Sequence, residues 1–178
     1  MVECEKCKLP GKADKIYMDV IVRHMQEKDI QQVQQVAQTS WHDTYADIVS
    51  FEARDSFLQA AYNESVMQNR MENSFFHVAE VKGEIVGFAN FTPVTEEGKT
   101  ELAAIYLYPE QQGRGIGTAL LDEGLHHIKG VKEVMVDVEK ENEKGNTFYK
   151  ARGFEVVDEF EENFAGSILK TVRMGLKI

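Results

Sequence analysis

Cysteine and proline are scarce in this sequence of 178 residues, which contains two of the first and three of the second. Both cysteines belong to one C-x-x-C motif, formed by Cys4 and Cys7. A structural zinc site needs four ligands, and His24 is a poor candidate to complete one. A redox dithiol is expected beside a βαβ pattern, which this segment lacks. We therefore expect a disordered or metal-scavenging tail and no metal cofactor, with a functional thiol pair as the less favoured alternative.

Basic side chains are also few relative to acidic ones. The 20 Lys and Arg residues stand against 30 Asp and Glu residues, which gives a formal net charge of −10 at pH 7. Nucleic-acid-binding domains usually carry the opposite charge, so no nucleic-acid partner is expected. A negative surface favours association with cationic partners such as amines.

Long apolar runs are absent. No segment approaches the roughly 20 apolar residues that cross a bilayer, and residues 1–15 mix charged and polar side chains, unlike a signal peptide. We therefore expect no membrane partner and a cytoplasmic location. The length and the lack of repeats or linkers predict one domain over residues 18–178. A flexible extension over residues 1–17 is expected to precede it.

What the sequence does contain is a regular succession of strand and helix patterns. The order is one strand, two or three helices, three strands, a helix, a strand, a helix and two strands. This order predicts a mixed α/β fold with an antiparallel meander in the middle, and it disfavours a doubly wound fold. Asp29 is predicted to cap the first helix. The predicted strands cover residues 19–23, 75–81, 84–91, 100–108, 134–138, 154–160 and 167–176. The helices predicted after the first one cover residues 51–62, 64–73 and 141–150, and a further helix, between the fourth and fifth strands, ends near Gly130.

A glycine-rich turn separates the strand at residues 100–108 from the helix that follows it. Its sequence is Gln112-Gly113-Arg114-Gly115-Ile116-Gly117. Glycine lets the backbone approach a ligand closely, and the first N–H groups of a helix are free to bind an anion. The alternating glycines match neither the G-x-G-x-x-G turn of dinucleotide folds nor the Gly-Lys-Ser/Thr end of a P-loop. An anion site is favoured, and a turn that serves only chain reversal is the alternative.

A second segment further along the chain agrees with the first. Its residues are Val138, Asn142, Phe148, Tyr149, Gly153 and Phe154. The two segments together resemble the GCN5-related N-acetyltransferase (GNAT) family, and the resemblance covers residues 18–178. It implies a central, mostly antiparallel twisted sheet with one parallel, splayed strand pair and helices on both faces.

The resemblance further implies acetyl-CoA as the co-substrate. The pantetheine arm would lie between the splayed strands, the glycine loop would hold the pyrophosphate, and Asn142 would bind the arm or only cap its helix. The cofactor-binding residues implied in this way are Ile105, Tyr106, Leu107, Gln112, Gly113, Arg114, Gly115, Ile116, Gly117, Thr118, Asn142 and Tyr149.

The activity implied by the resemblance is acetyl transfer to a primary amine that attacks the thioester directly. Tyr149 corresponds to the family's general acid for the departing sulfur, and simple packing beside Phe148 is the alternative. Glu101 lies where the family often has a carboxylate that removes the amine proton through water, and a solvated strand-edge residue is the alternative. Weaker candidates for this base are His42, Asp43 and Glu139.

The first helices shape the acceptor site in this family, so Trp41, His42 and Tyr45 are predicted to bind substrate. Trp41 and Tyr45 share a helix face, and an aromatic pair can surround a cationic amine. Burial of Trp41 in the core is the alternative. The stretch resembles bacterial enzymes that acetylate polyamines and small amines, and also those that acetylate ribosomal-protein N-termini.

Two classes of function are therefore compared. The first is an N-acetyltransferase whose acceptor is a small amine, a polyamine or a peptide amine. The second is a catalytically silent CoA-binding regulatory module of the same fold. The presence of Tyr149 favours the enzyme. A dimeric scaffold is a third and weaker class, and a homodimer is a possible assembly for any of them.

Overall fold

The computed structural model describes residues 20–178, so the extension over residues 1–17 and both cysteines lie outside the described residues. The order of helices and strands agrees with the predicted order. The strands are β1 (Val20–His24), β2 (Phe75–Val81), β3 (Glu84–Phe91), β4 (Lys99–Leu107), β5 (Glu133–Glu139), β6 (Glu155–Phe164) and β7 (Ser167–Lys177). The helices are α1 (Ile30–Thr44), α2 (Phe51–Ala61), α3 (Glu64–Asn73), α4 (Ile116–His127) and α5 (Glu143–Lys150).

The seven strands form one sheet in the order β1-β2-β3-β4-β5-β7-β6. Every neighbouring pair is antiparallel except β4 and β5, which run parallel. The expected mixed α/β fold, mostly antiparallel with one parallel pair, is therefore confirmed.

Each face of the sheet carries its own apolar core. Helices α1 to α3 cover one face, where Val33, Trp41 and Met67 pack against Phe88. Helix α4 covers the other face, where Leu120 and Leu121 share an apolar cluster with Phe91 of β3 and Leu102 of β4. Burial of apolar surface stabilises the folded chain by about 25 cal/mol per Å². The two cores therefore stabilise the strand register from both faces of the sheet.

The parallel pair is short because β4 bends away from β5. Residues 99–101 of β4 pair with residues 133–135 of β5, and no pairing between the two strands continues beyond them within the described chain. On its other side, β4 pairs with β3, but Ala103 has no partner because Asn90 pairs with Ala104 and Phe91 with Leu102. An extra residue of this kind bends the strand that carries it, which opens a gap between β4 and β5.

Asp29 occupies the N-cap position of α1, as predicted, but its side chain forms no cap hydrogen bond there. Its buried carboxylate instead accepts two hydrogen bonds from Arg23 of β1, at 2.7 and 3.0 Å, and one from the Gln26 backbone N–H at 2.8 Å. A bidentate arginine gives a buried carboxylate strong, charge-assisted hydrogen bonds, so the side chain binds Arg23 and not the helix end.

A buried histidine lies between the sheet and α4. His77 of β2 is 1% exposed, and neither ring nitrogen has a hydrogen-bond partner within residues 20–178. Its ring centroid lies 4.3 Å from that of His24 and 5.5 Å from that of His127. Burial, with smaller contributions from these two rings, lowers the pKa of His77 to about 4.

This depressed pKa predicts acid sensitivity. The unfolded chain takes up a proton near pH 6.5, whereas the folded chain does so only near pH 4, so the free energy of unfolding should fall as the pH drops from 6.5 to 4. Urea unfolding at a series of pH values should show this slope in the wild type and a flatter one in His77→Gln. The exposed His126 supplies the control, because His126→Gln should keep the wild-type slope.

Candidate active site

The gap between β4 and β5 is the centre of the candidate site. From Leu102 to Leu107, the edge of β4 that faces β5 has no strand partner within the described residues. Unpaired backbone groups of a strand can bond an extended ligand as a neighbouring strand would. The Leu107 carbonyl already accepts a hydrogen bond from the Ser40 hydroxyl of α1. The Ile105 and Tyr106 backbone is therefore the more available part of this edge.

The glycine loop lies at the end of the gap, where α4 begins. Gly113 and Gly115 have φ angles of 72° and 84°, values that favour glycine. Within residues 20–178, no acceptor is found for several N–H groups of the loop and the first helical turn, those of Gly113, Gly115, Ile116, Gly117 and Thr118. The N–H of Gln112 is already used, because it donates to the Pro109 carbonyl at 3.2 Å. The candidate anion cup therefore starts at Gly113.

Helix α5 packs directly against this loop. The ring of Phe148 approaches Gly117 so closely that an added Cβ would lie 2.9 Å from it. Arg152 lies over the same ring, with its guanidinium carbon 3.7 Å from the ring centroid. It donates to the Phe148 carbonyl at 2.9 Å and also to the Thr118 hydroxyl. Arg152 thus joins α5 to the first turn of α4, a positioning role that the sequence did not indicate.

Asn142 caps α5. Its side-chain oxygen accepts the Gly145 N–H at 2.9 Å, so the cap interpretation is correct. Nearby, the Asn146 side chain donates to the backbone carbonyls of Asn142 at 2.8 Å and of Glu139 at 3.0 Å. Asn146 therefore fixes the turn between β5 and α5, and the sequence analysis missed it because this contact requires the folded turn.

Tyr149 of α5 belongs to the apolar cluster that also contains Val138 of β5 and Ile105 of β4. Its ring packs against Phe148 and Phe154, with centroid separations of 5.3 and 5.4 Å, and its hydroxyl forms no hydrogen bond with residues 20–178. Burial, together with repulsion from the Glu139 carboxylate, raises the pKa of Tyr149. The phenol therefore keeps its proton at neutral pH and is available as a hydrogen-bond donor.

Glu101 lies on β4 at the last pair of the parallel strands, across from Met135. Burial and the nearby Asp137 raise its pKa, whereas Arg173 lowers it. Asp137 and Arg173 form a bidentate ion pair with both distances 2.7 Å. Glu101 therefore lies near this ion pair.

The three predicted substrate residues separate into two groups. Trp41 is 5% exposed and packs within 4.2 and 4.3 Å, centroid to centroid, of Phe57 and Tyr45. The Tyr45 hydroxyl donates to Glu139 Oε2 at 2.8 Å, which brings it to the end of the gap. His42 instead stacks on Phe51 at 4.9 Å, so it does not join the other two.

Comparison with known proteins identifies the family. The model of the Acetyltransferase (GNAT) family matches residues 31–154, more than half of the chain. The chain belongs to the GNAT acetyltransferase family. It is 33% identical over 161 residues to the uncharacterised N-acetyltransferase YuaI of Bacillus subtilis, covering 88% of this chain and 92% of that protein.

Two further similarities come from Thermoplasma acidophilum. A spermidine N(1)-acetyltransferase is 30% identical over 149 residues, covering 79% of this chain and 91% of that one. A crystal structure of PaiA N-acetyltransferase in complex with coenzyme A superimposes with a TM-score of 0.78 at 28% identity, covering 90% of this chain and all of the other.

This GNAT protein is accordingly an N-acetyltransferase, and the family uses acetyl-CoA. The open edge of β4 and the unpartnered loop amides fit an extended arm that ends in a diphosphate. Among residues 20–178, no helix is long and apolar enough to span a membrane. The same part of the chain contains no group of three or more His, Cys, Asp or Glu side chains placed to hold a metal ion.

Two glycines allow a matched test of the loop. Gly113 and Gly130 both have positive φ, 72° and 80°, and an added Cβ at either would meet nothing within 4 Å. Alanine at either position should cost about 1–2 kcal/mol of stability. Only Gly113→Ala should also weaken CoA binding, by about tenfold or more, because it turns the loop amides away from the diphosphate. Isothermal titration calorimetry with CoA measures this difference, and equal affinities of the two variants would contradict the assignment.

Proposed function

We propose that this protein transfers the acetyl group of acetyl-CoA to a primary amine of a small cationic acceptor. The observation that carries the proposal is the alignment of three features along one gap. The unpartnered loop amides lie at one end, the open edge of β4 lines the gap, and the protonated Tyr149 shares an apolar cluster with residues of both strands. A module that only bound CoA would not need a free phenol at this position.

In this proposal, the backbone of Ile105 and Tyr106, together with Leu107, holds the pantetheine arm. The N–H groups from Gly113 to Thr118 hold the pyrophosphate, with Gln112 and Arg114 at the edge of the loop. Hydrogen bonds to charged groups contribute about 1.5–3 kcal/mol each, so several of them outweigh screened repulsion from a surface of net charge −10. Asn142, whose side-chain oxygen caps α5, would offer its side-chain N–H₂ group to the arm.

The chemical class of the acceptor is proposed from the negative charge of β6, the strand at the edge of the sheet beside β7. The exposed strand β6 carries five acidic side chains among its ten residues: Glu155, Asp158, Glu159, Glu161 and Glu162. Among them, Glu159 is paired with Lys140 at 2.6 Å. A row of carboxylates attracts polycations, and a related protein is a spermidine acetyltransferase. A polyamine is therefore the favoured acceptor, and a peptide amine is the second candidate.

Bound acetyl-CoA supplies an activated acetyl group as a thioester. The chain supplies a gap that orients it, and a phenol that keeps its proton until negative charge develops nearby. Donation from Tyr149 to such charge is worth about 100-fold or more in rate. The residue that takes up the proton of the amine is Glu101 in the sequence-based prediction.

The role of Tyr149 can be tested by removing one oxygen atom. Tyr149→Phe preserves the packing against Phe148 and Phe154, so CoA affinity and the thermal midpoint should change little. The value of kcat should fall about 100-fold if the hydroxyl donates its proton to the developing charge. Thiol release at saturating acetyl-CoA measures kcat. Full activity of Tyr149→Phe would remove the phenol from the mechanism.

A panel of acceptors decides between the enzyme and the silent module. Thiol release from acetyl-CoA is measured with spermidine, putrescine, free amino acids and short peptides. Polyamines are expected to give the largest kcat/KM, and this preference should weaken as salt screens the acidic strand. CoA binding without turnover of any acceptor would instead support the regulatory alternative.

A further inference from the structure

Tyr45 and Glu139 form a polar pair at the end of the gap between β4 and β5. Tyr45 follows the last residue of α1, and Glu139 is the last residue of β5. Their side chains share a hydrogen bond of 2.8 Å. The pair therefore joins the helix that shapes one face of the sheet to the strand that forms one wall of the gap.

The charge of the Glu139 carboxylate acts on Tyr149, the candidate general acid. This charge raises the pKa of Tyr149, and it also raises the pKa of Tyr106 on the opposing strand. These interactions cross from one face of the sheet to the other. They are possible because β4 and β5 have separated at this point. Glu139 thus lies at the end of β5, beyond the residues that pair with β4.

The surroundings of Glu139 also suit a cation. It is half-buried, and Tyr45 occupies one of its two carboxylate oxygens. Burial raises the pKa of Glu139, and the charges of Glu162 and Asp137 add to this effect. A carboxylate among other carboxylates gains most from a bound positive charge. Glu162 belongs to the acidic strand β6, so the charge of that strand acts on Glu139.

We propose that Glu139, oriented by Tyr45, binds the ammonium group of the acceptor and accepts its proton. This inference rests on the proposed function and assigns the role of the base to Glu139 in place of Glu101. The step is a single proton transfer, in which an N–H bond of the ammonium breaks and an O–H bond forms on Glu139. It leaves a neutral amine with a free lone pair beside a neutral carboxylic acid, which later returns the proton to solvent.

Three observations favour Glu139 over Glu101 for this step. Glu101 lies beside the Asp137–Arg173 ion pair, where Arg173 stabilises its charged form. Glu139 has no cationic partner of this kind among the described residues, and its one side-chain hydrogen bond comes from a neutral phenol. The backbone of Glu139 is also fixed, because Asn146 donates to its carbonyl at 3.0 Å.

The decisive variant is Glu139→Gln, which keeps the size of the side chain and an acceptor for Tyr45. Without a base, the reaction must use amine that has already lost its proton in solution. A primary amine with a pKa near 10.4 is almost fully protonated at pH 7. The value of kcat/KM for spermidine should fall about 100-fold at pH 7. The deficit should shrink about tenfold per pH unit toward pH 9, because the free amine increases in that proportion.

A second measurement does not depend on turnover. Calorimetric binding of spermidine to the protein with CoA should weaken about tenfold in Glu139→Gln, because the variant loses a charge-assisted contact. CoA affinity and the thermal midpoint should stay at wild-type values. Glu133→Gln supplies the control, since Glu133 lies at the far end of the same strand and pairs with Lys99 at 3.1 Å. It should retain both activity and binding.

The inference is overturned if Glu139→Gln keeps the wild-type pH profile, or if its loss of rate is equal at every pH. It is also overturned if kcat/KM recovers toward pH 9 in Glu101→Gln and not in Glu139→Gln. These outcomes require an active wild type. A wild type that acetylates no amine would instead contradict the proposed function itself, so the two failures can be told apart.

Discussion

The separation of β4 from β5 is the constraint on which the rest of the structure depends. Three residue pairs hold the two strands together, and the unpaired Ala103 then turns β4 away. A sheet normally buries its backbone groups by pairing them. Here the edge of β4 is left open between two apolar cores, each covered by helices, which keep the strands from closing. The open edge, the loop amides and Tyr149 form one site only because this gap exists.

The molecule also separates two kinds of charge recognition along that gap. The glycine loop after β4 offers the partial positive charge of backbone N–H groups at the start of α4. Glu139, the last residue of β5, offers a full negative charge. Because β4 and β5 run parallel and pair only at their first residues, both groups lie at the carboxyl ends of the separated strands. In the proposed function, the first would hold the diphosphate and the second the ammonium group.

Much of the fold followed from the sequence because it is encoded locally. The residue patterns of β2, β3 and α3 predicted their bounds to the residue. Local patterns were insufficient where a distant partner decides: Asp29 holds the predicted N-cap position of α1, but its carboxylate binds Arg23 of β1. For the same reason, the sequence ranked Glu139 below Glu101. The separation between Glu139 and Tyr45 depends on how α1 lies across the sheet.

By itself, the sequence determined the element order, the glycine loop, the cap at Asn142 and the family, since each depends on residues close together in the chain. The tertiary structure alone decided which side chains meet. It buried Trp41 against Phe57, turned His42 toward Phe51 and brought Tyr45 to Glu139. These contacts join residues far apart in sequence across a sheet whose bend comes from one unpaired residue. Local patterns carry the geometry of single elements, whereas a site between elements depends on their packing.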